Sequence, residues 1–198
     1  SHEKWLLHTW TLGVEAQFYL LLPLFLMVLW KIKPAAKTLF LGLVFAFLAS
    51  LALSVVASSW RPVPAFYLLP TRGWEFIAGG LVFFAGRDIK ALEKYSKALL
   101  WSGFALLLLT FILIDSSYTW PSAWALLPVL ATALIMLAQR SQSILTAHPI
   151  AQWLGDRSYS LYLWHWPIMV ALYFAGLDAN WLWISAGLAL SLLLGDLS

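Results

Sequence analysis

Thr38-Leu-Phe-Leu-Gly-Leu-Val-Phe-Ala-Phe-Leu-Ala-Ser-Leu-Ala-Leu-Ser-Val-Val-Ala-Ser-Ser-Trp60 contains no charged side chain and no histidine. A helix needs about 20 largely apolar residues to cross the hydrocarbon core of a bilayer, and this stretch supplies them. Its apolar residues are continuous and rich in Leu and Ala rather than alternating, which disfavours a barrel strand. Ser116–Gln139 is equally free of charge and histidine. Working outward, apolar spans fall near 12–30, 38–59, 66–86, 98–114, 123–138, 158–176 and 181–197. The predicted fold class is all-α, a polytopic transmembrane helical bundle with about seven spans in this chain.

Composition excludes the alternatives. The 198 residues are 62% hydrophobic and 11% charged, with a mean hydropathy of +0.83. Soluble domains carry about 25% charged residues, and a domain of this size could not enclose so much apolar side chain. Disorder is excluded for the same reason. There is no cysteine, so disulfides, thiolate metal sites and a cysteine nucleophile are excluded. The net charge of +3 does not mark a nucleic-acid partner, because the basic residues are scattered between apolar runs. No secretory signal precedes the first span, and the chain stops at Ser198 directly after an apolar run. Residues 1–198 are therefore expected to be a partial transmembrane domain, with helices before it and a continuation after it.

Cytoplasmic loops concentrate Lys and Arg. Lys31, Lys33 and Lys37 separate spans one and two, Arg87, Lys90, Lys94 and Lys97 separate three and four, and Arg140 and Arg157 separate five and six. The intervening loops hold only Arg61. This alternation predicts a multi-pass protein with its first residue outside and its last residue cytoplasmic. Trp5, Trp10, Trp30, Trp60, Trp101, Trp120, Trp124, Trp153, Trp181 and Trp183 lie near span ends, where an amphipathic indole anchors a helix at the membrane interface.

Ionisable groups inside the membrane cost about 2.5–3.5 kcal/mol each on insertion scales, so they are functional candidates. Three stretches carry them. In His8-Thr-Trp-Thr-Leu-Gly-Val-Glu15-Ala-Gln-Phe-Tyr19, a continuous helix would place His8, Glu15 and Tyr19 on one stripe. The competing reading is a cap at the outer interface, with Glu15 and Gln17 touching water. In Phe66-Tyr-Leu-Leu-Pro-Thr-Arg72-Gly-Trp-Glu75, Arg72 and Glu75 can pair on one face, Pro70 frees the carbonyl of Phe66, and Gly73, Gly79 and Gly80 allow close backbone approach. The pair either locks the bundle or leaves a guanidinium suited to a phosphate or carboxylate. In Ser158-Tyr159-Ser-Leu-Tyr162-Leu-Trp-His165-Trp-Pro167, Ser158, Tyr162 and His165 share one stripe and Tyr159, Tyr162 and Trp166 another. His165 is either a satisfied buried histidine or part of a cavity wall. Asp196 reads as the inner end of its helix, and Asp115 and Asp178 as loop residues. No histidines are spaced as metal ligands, and no cofactor motif is present.

These same three stretches resemble the bacterial acyltransferase-3 family, membrane O-acylases of cell-surface glycans, in the family's order and approximate spacing. Two departures stand out. Glu15 is followed by Ala16 where the family often has a second acidic residue. The early helix whose Arg and His the family is thought to use in acyl transfer is not in this sequence and is expected upstream of Ser1.

The resemblance implies transfer of an acyl group, most simply acetyl, from cytoplasmic acyl-CoA to a hydroxyl of an outward-facing glycan (lipopolysaccharide O-antigen, peptidoglycan or exopolysaccharide). It implies location in the bacterial inner membrane, with lipid, acyl-CoA and the glycan as partners and no bound cofactor or metal. The catalytic histidine is expected upstream, with Glu15, Arg72, Glu75 and His165 as supporting candidates. His8, Tyr19, Arg72, Tyr159, Tyr162 and His165 are the candidates for binding substrate. A polytopic secondary transporter and a catalytically inert membrane scaffold are the rival readings.

Overall fold

The computed structural model describes residues 5, 9–86, 93–115, 122–139, 143 and 146–198. His8, Arg87, Lys90, Trp120 and Arg140 lie outside the described residues. Every regular element among the described residues is helical. They are α1 (Trp10–Ile32), α2 (Ala36–Trp60), α3 (Pro62–Tyr67), α4 (Leu69–Gly86), α5 (Ser96–Leu113), a 3₁₀ turn (Ala123–Ala125) running into α6 (Leu126–Leu137), α7 (Pro149–Asp156), α8 (Ser158–Phe174) and α9 (Trp181–Leu197).

All seven apolar stretches are mainly helical where described, and α1, α2 and α5 are long and apolar enough to cross a membrane. Only 6%, 11% and 22% of their most apolar stretches are buried within the protein. Large apolar side chains such as Phe45, Leu108, Phe111 and Ile112 point outward instead. The buried polar residues are mostly small hydroxyls: Ser54, Ser58, Thr71, Ser96, Thr110 and Ser191. That inverted distribution suits a chain whose solvent is lipid, where small residues line helix contacts. Several hydroxyls fold back on their own helix, Ser58 to the Ser54 carbonyl, Thr110 to Leu106 and Ser191 to Gly187.

The chain forms two compact units. One comprises residues 13–140 and the other residues 1–12 with 141–198. In the first, the short connection Lys33–Ala35 joins α1 to α2, and an added Cβ at Gly42 of α2 would strike the Leu29 side chain of α1. The expected third span, 66–86, is two helices. Leu68 is extended (φ −97°, ψ 137°) and separates α3 from α4. Pro70 therefore stands in the first turn of α4 and opens that helix instead of kinking it, because a missing N–H costs nothing where no helical acceptor precedes it. α2 packs along α4, α4 against α6, and α6 against α5.

The close backbone approaches are not those expected. An added Cβ would meet nothing within 4 Å at Gly79 or Gly80, and only Ser50 Oγ (3.5 Å) and a Leu69 methyl (4.0 Å) at Gly73. The tight contact is Gly103 on α5, where a Cβ would come to 2.8 Å from the Ala131 carbonyl oxygen and 3.1 Å from the Ile135 nitrogen of α6.

In the second unit, α8 ends in a Schellman turn. Gly176 adopts φ +68°, its N–H meets the Tyr173 carbonyl, and the Leu177 N–H meets that of Leu172. Asn180 then caps α9 by accepting from the Leu182 N–H at 3.0 Å. The two helices pack as a hairpin, with Gly187 against Leu172 and Gly195 against Leu161.

Replacing Gly103 by Ala should lower stability by about 1–3 kcal/mol, because the opposing atoms are backbone and cannot move aside cheaply. Thermal melting of the full-length protein in detergent measures this. Gly155→Ala, where nothing lies within 4 Å, should melt like the wild type. Equal melting of the Gly103 variant and the wild type would contradict the close α5–α6 contact.

Candidate functional site

Arg72 and Glu75 stand three residues apart on α4, and the helix brings them together. Glu75 Oε2 accepts from Arg72 Nη2 at 2.7 Å and from Nε at 3.2 Å. Both side chains are largely buried, 19% and 17% exposed, so the pair is shielded from solvent screening. The guanidinium carbon also lies 5.6 Å from the centre of the Phe66 ring, within cation–π range.

The break at Leu68 makes this possible, since it returns Phe66 of α3 alongside the first turn of α4. Thr71 fixes the corner, its hydroxyl reaching the carbonyls of Ala65 (2.6 Å) and Leu68 (2.8 Å). Trp74, fully buried, meets Phe47 of α2 edge to face at 6.0 Å. On the α1 side, Phe18 stacks on Phe76 at 4.9 Å.

The second carboxylate oxygen, Glu75 Oε1, is buried and accepts no hydrogen bond among the described residues. Trp74 Nε1 and Ser54 Oγ are likewise buried and unbonded. An unmatched buried polar atom costs about 1–3 kcal/mol, more when charged, so Glu75 Oε1 marks a place where a ligand donor would be favoured and Trp74 Nε1 one where an acceptor would be. Glu75 also lines a partly open cavity of about 250 Å³ between α4 and α6, bounded by Ala78, Gly79, Pro128, Thr132 and Met136. Chemically, the site offers a fixed cation, one carboxylate acceptor and an apolar cleft.

The other candidates have surroundings of their own. Glu15 is half-buried on α1 and enters neither ion pair among the described residues. Tyr19 and Tyr159 are 66% and 60% exposed. In the other unit, Tyr162 and His165 of α8 are neighbours, with ring centres 5.9 Å apart. Tyr162 hydrogen-bonds the Thr11 hydroxyl, and His165 Nδ1 lies 3.1 Å from the Leu161 carbonyl oxygen one turn back. No group of three His, Asp or Glu side chains among the described residues could hold a metal ion.

Asp196 is more than a helix end. Its carboxylate is paired with Arg157 and accepts from Trp153 Nε1 at 3.0 Å, while the Arg157 guanidinium lies over the Trp153 ring at 5.1 Å. The four-residue spacing of Trp153 and Arg157 was a visible signal. Their partner lay 39 residues further on from Arg157 and could not be inferred from spacing.

With this geometry in hand, comparison with known proteins is informative. A family model described as an acyltransferase domain matches residues 1–197. The chain is 30% identical over 200 residues to a protein of Komagataeibacter xylinus whose name describes a membrane-bound transacylase, covering 97% of this chain and 49% of the relative. It is 30% identical over 175 residues to the peptidoglycan O-acetyltransferase OatA of Listeria monocytogenes, covering 81% and 28%. It is 29% identical over 181 residues to an O-acetyltransferase OatA of Staphylococcus aureus, covering 82% and 29%. The chain thus spans half or less of the length of these relatives. No solved structure matches it.

The ion pair makes an asymmetric prediction. A carboxyl left alone can take up a proton and become neutral, whereas a guanidinium cannot shed its charge. Glu75→Leu should therefore cost on the order of 3 kcal/mol, and both Arg72→Leu and the double Leu variant should cost less. Melting of the three full-length variants tests the ordering. Equal losses in the two single variants would contradict the pairing as the reason for Glu75.

Proposed function

Because the chain belongs to the acyltransferase-3 family, matched over residues 1–197, we propose that its protein transfers an acyl group, acetyl in the simplest case, to hydroxyls of a cell-surface glycan. The proposed donor is cytoplasmic acyl-CoA, and the proposed location is the bacterial inner membrane, with the first residue outside and the last cytoplasmic. The acceptor is an outward-facing glycan of the class that the relatives' names indicate, with peptidoglycan the best supported.

The observation that carries this reading is the Arg72–Glu75 pair sunk in an apolar helix beside a cleft, with one carboxylate oxygen left unbonded. Transfer of an acyl group to a hydroxyl requires a base for the hydroxyl proton and donors for the developing oxyanion. The hydroxyl oxygen bonds to the thioester carbonyl carbon, the carbon–sulfur bond breaks, and the thiolate leaves to be protonated. The base is assigned to the family's histidine upstream of this chain. Within the chain, Arg72 meets an anionic group of the donor, and Glu75 holds the guanidinium in place while offering Oε1 to a substrate donor. His8, Glu15 and Tyr19 are assigned to the acceptor. Tyr159, Tyr162 and His165 are assigned to the donor side.

A permanent cation in a shielded site is worth most where it meets charge, and a lysine cannot reproduce two bonds to a single carboxylate oxygen while also meeting a ligand. Arg72→Ala in the full-length protein should abolish appearance of labelled acetyl in purified surface glycan, with membrane abundance unchanged. Arg72→Lys should retain about 0.1–1% of the transfer rate, a loss typical of removing one preorganised electrostatic contact. Disappearance of Arg72→Ala from the membrane would support a structural lock instead. Solute uptake without glycan labelling by the wild type would support a transporter.

A further inference from the structure

A neighbouring helix reaches into the turn that carries Arg72. Ser50 stands in the middle of α2, and its hydroxyl donates to the Pro70 carbonyl oxygen at 2.7 Å while accepting from the Trp74 N–H at 2.9 Å. Pro70 and Trp74 are the two ends of one i,i+4 rung of α4. A single hydroxyl of α2 thus engages both partners of the rung that encloses Thr71, Arg72 and Gly73.

This is an unusual use of a helical serine. Ser58 and Ser59 on the same helix do the common thing and bond their own carbonyls four residues back, at Ser54 and Val55. Ser50 instead bonds across to α4. A side chain from a neighbouring helix that bonds both ends of one rung ties that turn in place, and so sets the direction of the side chains leaving it.

The surroundings fix this arrangement. An added Cβ at Gly73 would stand in ordinary van der Waals contact with Ser50 Oγ, at 3.5 Å, so α2 and α4 touch at this level without crowding. Trp74 is wholly buried against Phe47, one turn before Ser50, which keys the two helices in register. Thr71 is tied to the α3–α4 corner on the other flank. Arg72 is therefore framed on both sides by hydroxyl ties, and its own side chain is what the turn presents.

We infer that Ser50 is a positioning residue for the acyl-transfer site, its hydroxyl setting the α4 turn from which Arg72 and Glu75 project. The inference rests on the functional reading of Arg72 given above. Without the hydroxyl, the Pro70 carbonyl and Trp74 N–H still have each other as helical partners, so the backbone stays satisfied while the turn loses its tie to α2 and Arg72 is redirected. Activity should fall without loss of fold.

The test is acyl-transfer kinetics of the full-length protein in membranes, with melting measured in detergent. Ser50→Ala should lower kcat/KM at least about tenfold at nearly unchanged melting temperature, since an ångström of misplacement costs rates of this order. Ser50→Thr, which keeps the hydroxyl, should recover most of the rate, and Ser59→Ala should match the wild type. In an Arg72→Lys background, Ser50→Ala should cost much less than it does alone, because its effect runs through Arg72. Wild-type kinetics in Ser50→Ala, or an equal loss in both backgrounds, would overturn the positioning role while leaving the functional reading intact. A wild type that transfers no acyl group overturns both.

Discussion

A guanidinium inside an apolar helix must be matched, and the architecture of α4 follows from how Arg72 is matched. Glu75 supplies the countercharge one turn on along the same helix, and Phe66 supplies a π-face that a straight, uninterrupted span would not bring there. The break at Leu68 brings α3 back to the pair, and the hydroxyls of Thr71 and Ser50 bond backbone groups on its two flanks. The charge and the irregular backbone therefore occur together. That is consistent with the rule that non-helical backbone at membrane depth survives only where protein or a cavity covers it.

The bulk of the fold was legible because lipid imposes a single demand, long apolar helices, and leaves a continuous signature. Seven stretches were readable from runs such as Thr38–Trp60, and the helices begin and end close to those limits. What was not legible depended on contacts between distant residues. In sequence Pro70 reads as freeing the Phe66 carbonyl within one continuous span, and only the extended Leu68 before it shows that a new helix starts there. Gly79 and Gly80 look like packing residues in sequence, yet the close approach is made by Gly103, whose neighbours on α6 lie about 30 residues away.

The candidate site divides in the same way. Arg72 and Glu75 were recoverable because three-residue spacing on a helix is a local property. Tyr162 and His165 were recoverable for the same reason. Ser50 was not, since its serine looks like any other hydroxyl in a membrane helix until α4 is seen beside it. The Arg157–Asp196 pair was missed because each residue alone is an ordinary charge at a helix end. Tyr19 and Tyr159 carry the right chemistry on the right motifs and are nonetheless largely exposed within this chain.

The central claim is that the cleft beside Glu75 is reached by substrate and is not merely a groove filled by lipid tails. The chain contains no cysteine, so a single reporter is readily placed on the cleft wall. Ala78→Cys in a cysteine-free full-length protein can be challenged with a water-soluble, membrane-impermeant thiol reagent, with and without acyl-CoA. The account predicts labelling that acyl-CoA slows. Labelling only by a lipid-partitioning reagent, indifferent to acyl-CoA, would contradict it.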